Sequence, residues 1–382
     1  MMTSLTTAAA TGTMTTAKNW GEFDICLFFS VTRGTWGAYM AIFLCLVGLV
    51  SNLVLLYTVT KSVVLRGAPS NLFIASVAMG NLLLLLLTAP AYIKHEFELC
   101  WRLGISACKF YAFAEVVSIS GIAFSMVGVT YERYRAAKGM KEMDTRMKYM
   151  VLACIWLGAL IFATPTVFLA DLAFDNFCYV RPHFEPQGKA YVVCQFLCVY
   201  LVPSVYNITV RLWAWAVGDR DEQDSEVPHH TPKQLNNATA VMSASLVIAW
   251  IPFYIFAIGL EFQTLPFDDW TIIANLYDAQ YIVLYFNSAL APFILWAFSG
   301  VHRASLMEDA LCGARCCGGV ACCRGGQAGD RYSTFRNEFD LDGAGPDLPR
   351  VEYSPEYSTE YTDDQDQADH DDAQPNNVKL NL

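Results

Sequence analysis

Residues 108–135 read CKFYAFAEVVSISGIAFSMVGVTYERYR, an apolar run that opens on Cys108, holds one deep charge at Glu115 and closes on Glu132-Arg133-Tyr134. Coiled as a helix, the 25 steps from Cys108 to Arg133 cover about 37 Å, so the cysteine stands at one mouth of a bilayer and the arginine at the other. The apolar heart of this segment is 110–131, and similar stretches lie at 36–59, 72–93, 149–170, 190–216, 239–260 and 271–297. Each is long enough to cross a hydrocarbon core of about 30 Å as a helix, the form that satisfies every backbone hydrogen bond internally. The expected fold is therefore all-α, a bundle of seven transmembrane helices. Composition agrees: of 382 residues, 54% are hydrophobic and 16% charged, against about 25% charged in soluble domains. Mean hydropathy is +0.32.

An odd number of spans puts the chain ends on opposite sides of the membrane. The loops after spans 1, 3 and 5 carry Lys61, Arg66, Arg135, Lys138, Lys141, Arg146, Lys148, Arg220 and Lys233, whereas those after spans 2, 4 and 6 carry Lys94, Arg102, Arg181 and Lys189. The excess of Lys and Arg assigns the first group to the cytoplasm, hence an extracellular N-terminus and a cytoplasmic tail. The third inner loop, GDRDEQDSEVPHH, is mostly acidic, but acids weigh little in this rule. Net charge is −11, and from Arg324 onward 14 acids face 5 bases, so the acidity sits largely in the tail and nucleic acid is not an expected partner. The start, MMTSLTTAAATGTMTTAKNW, lacks the basic and apolar regions of a secretory signal, which leaves span 1 as its own insertion signal. Asn207-Ile208-Thr209 and Asn237-Ala238-Thr239 match the glycosylation pattern but fall within or at the inner end of spans, where no glycan is expected.

Seven helices also occur in pumps and transporters. A retinal protein needs a lysine in span 7, and TIIANLYDAQYIVLYFNSALAPFIL has none; a transporter is expected to show two related halves and intramembrane ion pairs. By itself, Glu132-Arg133-Tyr134 is also what any charged helix end at the interface looks like. In company it says more. Asn52 in span 1, Trp101 with Gly104, Trp156 in span 4, Pro203 in span 5, Trp250-Ile251-Pro252 in span 6 and Asn287-Ser288 before Pro292 in span 7 follow in order. With Cys108 and Glu132-Arg133-Tyr134, this series resembles the rhodopsin-like (class A) G-protein-coupled receptors over roughly residues 36–311. Tyr134-Arg135-Ala136-Ala137, IWLGALIFATPTVFLADL in span 4, the GAY of 37–39, Ala114-Glu115-Val116 and a cysteine cluster after span 7 look like the orphan endothelin-receptor-B-like group, the Parkin-associated or proposed prosaposin receptors. The long outer domain of that group has no counterpart before span 1.

The resemblance implies a receptor at the plasma membrane, multi-pass, not an enzyme and needing no cofactor or metal. Its partners would be a heterotrimeric G protein, arrestin, membrane lipids and an extracellular peptide or protein ligand, prosaposin-like by resemblance. It casts Glu132, Arg133, Tyr134, Trp250, Pro252, Asn287 and Pro292 as the switch and G-protein-coupling residues: a guanidinium at the membrane edge, paired with the neighbouring carboxylate at rest and freed when helices 3 and 6 separate. Cys178 in the second outer loop is the implied disulfide partner of Cys108, both lying on the oxidising side. Cys26 and Cys100, also outside, are either a second bridge or two free thiols.

Departures from the class pattern bear on mechanism. Asn81 replaces an aspartate in span 2, Ala291 an asparagine before Pro292, and Ile122 a hydroxyl in span 3. Without the carboxylate, Na⁺ loses the anion that offsets its dehydration, and sodium regulation is not expected; the alternative is a site rebuilt around Asn81 and Asn287. Leu295 and Arg211 stand where two tyrosines normally bridge in the active state. Either another contact, through Arg211, holds the open form, or G-protein coupling is weak.

Glu115 points to a ligand cavity, as an anchor for a basic group of a peptide, as the counter-ion of a small cation, or as one half of an internal pair. Trp250, Phe253, Tyr254, Tyr281 and Tyr285 are the aromatic candidates for the same cavity, or else packing residues. The domain plan is an extracellular arm at 1–35, the bundle at 36–298, an amphipathic helix with a cysteine cluster at 299–323 and a disordered acidic tail at 324–382. Cys312, Cys316, Cys317, Cys322 and Cys323 beside SGVHRASLMEDAL read as palmitoylation sites, since two or more chains anchor stably, with zinc binding as the rival. EYSPEYSTEYTDD sets Ser354, Ser358, Thr359 and Thr362 among acids, where phosphorylation suits a basic partner such as arrestin. The closing Leu380-Asn381-Leu382 suits a PDZ-type sheet edge. The alternative to a signalling receptor is a membrane scaffold or trafficking partner that keeps the fold but has lost the sodium site and the tyrosine switch.

Overall fold

The computed structural model describes residues 35–307 apart from 63–64, 66–68, 99–100, 142, 174–176, 181–185, 225–232 and 265–269. All of these lie in one compact unit, Met1–Cys322. The proposed Cys26–Cys100 bridge, the acylation cluster, the phosphorylation sites and the C-terminal motif fall outside the described residues.

Among the described residues, seven helices are long and apolar enough to cross a membrane: α1 Trp36–Lys61, α2 Ser70–Glu98, α3 Gly104–Ala137, α4 Thr145–Leu169, α5 Pro186–Ala214, α6 Leu235–Glu261 and α7 Asn275–Phe298. The helices overrun the apolar stretches read from sequence. The α2 helix continues to Glu98 because the Lys94–Glu98 pair, 2.6 Å apart and one turn along, carries it into the polar zone. Helical structure after α5 persists to Asp224, so the first half of the acidic segment expected as loop is helix. Likewise the helix of α6 begins at Lys233.

Within α3, 72% of the apolar window is buried inside the bundle, against 22% for α4 and for α5, so α3 is the axis and the other two face lipid. Two sets of buried polar contacts hold the axis. Asn52 Nδ2 donates to the carbonyls of Gly48 and Ser288 at 2.8 and 2.9 Å and its Oδ1 accepts from Asn81 Nδ2 at 3.1 Å, joining α1, α2 and α7. Ser76 meets Ser125 at 2.7 Å and accepts from Trp156 Nε1 at 3.1 Å, joining α2, α3 and α4. In hydrocarbon such groups have no water to turn to, which is why each finds a partner across a helix interface.

Prolines at 165, 252 and 292 sit inside α4, α6 and α7. Wider π turns interrupt α2 at Leu84–Thr88 and α5 at Phe196–Leu201; in α2 the Thr88 hydroxyl donates to the Leu84 carbonyl at 2.6 Å. Gly104 opens α3 at φ 79°, a conformation that suits glycine, and its carbonyl accepts the Trp101 indole N–H at 2.9 Å.

Beyond α4 the chain turns into a hairpin, β1 Ala170–Ala173 and β2 Phe177–Val180, antiparallel with Leu172 opposite Cys178. The expected Cys108–Cys178 disulfide is present and pins this hairpin to the outer end of α3. After α7, residues 300–307 form the short eighth helix, α8. Ser299 precedes it and bonds His302 Nδ1 at 2.8 Å, while Arg303 Nη1 donates to the last carbonyls of α7 at Trp296 and Ala297.

Candidate functional site

Two constellations face opposite ends of the bundle. At the outer end, Glu115 lies on α3, one turn below Tyr111. The hydroxyl of Tyr281 on α7 approaches its carboxylate, and Tyr111, Tyr191, Tyr254 and Tyr285 are near enough to feel its charge. Its Oε1 is buried with no hydrogen-bond partner among the described residues, and none of the described lysines or arginines pairs with it. Tyr254 is drawn toward α5, stacking on Tyr200 at 4.9 Å, and Trp250 and Phe253 are buried in the core. Behind Tyr200 and Tyr254, a groove of about 340 Å³ between α5 and α6 is lined by Phe196, Ile251, Ile255 and Ile258.

A second acidic corner adjoins the first and was not singled out in the sequence. Glu96 on α2 and Asp278 on α7 are both buried, and Tyr92 donates to Asp278 Oδ1 at 3.3 Å. Gly37 on α1 gives them room: a Cβ there would stand 3.0 Å from the Tyr92 hydroxyl, 3.2 Å from Glu96 Oε2 and 3.4 Å from Asp278 Cγ. Tyr92 in turn packs on Tyr281 at 4.9 Å and on Tyr285 at 5.7 Å, so a bank of tyrosines runs from this corner to Glu115. The one sequence signal was Tyr92 and Glu96 one helical turn apart; that Asp278 joins them needs the packing of α2 on α7.

At the inner end, Glu132 is 4% exposed, and Arg133 Nη2 donates to Ser70 Oγ on α2 at 2.6 Å. An α2 hydroxyl thus shares the guanidinium that the sequence reading assigned to the neighbouring carboxylate. Tyr134 packs on Trp213 of the α5 helix at 4.8 Å, and the Lys138 ammonium lies over both rings at 4.9 and 5.0 Å. Arg211 is not idle: Nη1 donates to Asn236 Oδ1 at 2.9 Å and to the Asn236 carbonyl at 3.3 Å, and Nη2 reaches Thr130 Oγ1 at 3.5 Å. Leu295 is fully buried and Asn287 nearly so. His302 of α8 is also buried here; loss of water, with the Arg133 charge adding, lowers its pKa to about 4.

Asn81, where a sodium site would need its carboxylate, bonds Asn52, and Ile122 and Ala291 present apolar surface. Pro252 and Pro292 interrupt α6 and α7.

Seven membrane-crossing helices, a disulfide holding an outer hairpin to the third helix and, at its inner end, a buried Glu132 next to a half-buried Arg133 bonded to Ser70 define a heptahelical receptor. The model of the 7 transmembrane receptor (rhodopsin family) matches residues 51–295, and the chain belongs to that family. It is similar to Melatonin receptor type 1B-B of Danio rerio, 26% identical across 69% of this chain and 80% of that one. It is similar as well to Prosaposin receptor GPR37 of Rattus norvegicus, 24% identical across 74% of this chain and 52% of the relative. Bombesin receptor subtype-3 of Ovis aries is 22% identical across 70% and 72%. These relatives are receptors and not enzymes, and the chain is a multi-pass protein of the cell membrane with a receptor's signalling role.

Proposed function

We propose that this receptor answers an extracellular peptide or protein through a basic group seated on Glu115, and passes the signal to a heterotrimeric G protein and to arrestin. The observation that carries the reading is Glu115: an acid within the membrane, ringed by tyrosines and with no basic side chain beside it among the described residues. Such a group is retained where a counter-charge arrives from outside the fold. Tyrosine faces add cation–π attraction for an ammonium or guanidinium. One relative is named for prosaposin, and a secreted ligand of that kind is the candidate. On the inner side, Glu132, Arg133 and Tyr134 serve as the coupling surface, with Trp250, Pro252, Asn287 and Pro292 carrying the movement between them. The tail adds phosphorylated Ser354, Ser358, Thr359 and Thr362 for arrestin, the cysteine cluster adds acyl anchors, and Leu380-Asn381-Leu382 adds a PDZ partner.

The test is a screen of secreted peptides on cells bearing the intact receptor, read by arrestin recruitment, with hits repeated on Glu115→Gln. Active ligands should carry a basic group and lose about tenfold or more in potency on the variant, the equivalent of one charge-assisted hydrogen bond. Ligands without a basic group that act equally on both proteins contradict the anchor. The second reading, a scaffold with the receptor fold and no signalling, is favoured by Leu295 and Arg211 in place of the usual tyrosines; it expects no basal or evoked signal at all.

A further inference from the structure

Among the described residues, the hydrogen bonds that tie the inner half of α6 to its neighbours come from one side chain. Arg211 projects from the α5 helix, grips the Asn236 side chain and carbonyl near the start of the α6 helix, and reaches Thr130 on α3, three residues before Arg133. A planar guanidinium with donors on both terminal nitrogens can hold two helices against a third in a fixed geometry, which the single O–H donor of a tyrosine at this position does not offer. Further out, the next described bond from α5 to α6 is Tyr200 to the Val247 carbonyl, close to Pro252, where the ladder of α6 is already broken. Any swing of the inner end of α6 about that proline therefore has to part Arg211 from Asn236.

We propose that Arg211 is a resting-state clamp on α6, and that its release from Asn236 is the step at which the receptor leaves its closed form. Resting on the reading of the chain as a signalling receptor, it assigns to Arg211 a role opposite to that of the tyrosine usual in the class: it holds the inner cavity shut. The bonds to Asn236 differ in strength, because a guanidinium aimed at a side-chain oxygen at 2.9 Å outranks a 3.3 Å contact to a carbonyl that also accepts from Thr239. Arg211 has to lose both to let go.

The test is hydrogen–deuterium exchange on the full-length protein in lipid nanodiscs, without ligand or transducer, following peptides that cover 234–246. Arg211→Met should speed exchange there by about tenfold, and Asn236→Ala by less, because the backbone carbonyl remains. The two together should be no faster than Arg211→Met alone, as expected for partners in one contact. Asn236→Asp, which gives the guanidinium a charged acceptor, should slow the same peptides. Unchanged exchange in α1 and α2 marks a folded variant; where Arg211→Met does not fold, the opposite signs of Asn236→Ala and Asn236→Asp decide. Exchange at 234–246 within about twofold of wild type in all variants, or effects of the single changes that multiply in the double, overturns the clamp. Failure of the receptor reading shows itself elsewhere, as silence in signalling assays while the exchange pattern stands.

Discussion

The two ends of the bundle concentrate opposite charge. Outside, Glu96, Glu115 and Asp278 gather among tyrosines; inside, Arg133 lies near both Arg211 and His302, with Glu132 as the buried acid next to it in the chain. Charge inside a membrane protein is costly unless it faces water, a partner or an opposite charge, and is kept where it does work. The contrast teaches that the two ends differ in chemistry, and under the proposed function the outer acids suit a cation-bearing ligand while the guanidiniums and their contacts lie on the side of the transducer.

The largest effect that can break this contrast comes from the covalent link of the outer end. Cys178→Ser frees the hairpin from α3 and should cost about 2–5 kcal/mol, seen as loss of surface expression and a lower Tm in detergent, while the inner contacts remain. Next is the seam between the ends. A Cβ at Gly48 would meet Leu85 Cδ1 at 2.6 Å and the Ala289 backbone at 3.3 Å. Gly48→Val should therefore destabilise by about 1–3 kcal/mol through overpacking, measured by thermal unfolding.

Acid should act on the inner end first. His302 is neutral when folded, with its pKa lowered from 6.5 to about 4, so the unfolded chain takes up protons more readily as pH falls below 6.5. Its share of stability is complete above about pH 6.5 and is lost progressively as pH falls from there to about 4, with about 2 kcal/mol gone by pH 5. His302→Gln should flatten that part of a Tm profile taken between pH 7.5 and 5. A mutant profile as steep as that of wild type contradicts it. The smallest effect is expected from sodium. With Asn81 in place of the carboxylate and bonded to Asn52, replacing NaCl by choline chloride should leave Tm and ligand affinity unchanged.

The seven helices were legible because a span must be both long and apolar, and hydropathy reports both. Their ends were not: hydropathy does not report where a helix stops once it has left the membrane, and the helices run on through the Lys94–Glu98 pair and beyond Ala214. The π turns in α2 and α5 left no mark in LLLLT or FLCVYL. Glu115 and Arg211 stood out as odd residues at telling positions, yet their partners are set by packing. Asn236 is 25 residues from Arg211, and Tyr281 is far along the chain from Glu115. Glu96 and Asp278 lie far apart in the chain, and only the packing of α2 on α7 brings them to one corner.

The most direct measurement is G-protein activation in cells, comparing the wild type with Arg133→Ala at matched surface expression. A basal or evoked signal in the wild type that the variant loses is the expected result. Equal signals from both, or silence from both under every ligand that binds, would contradict a receptor that works through the inner end of α3.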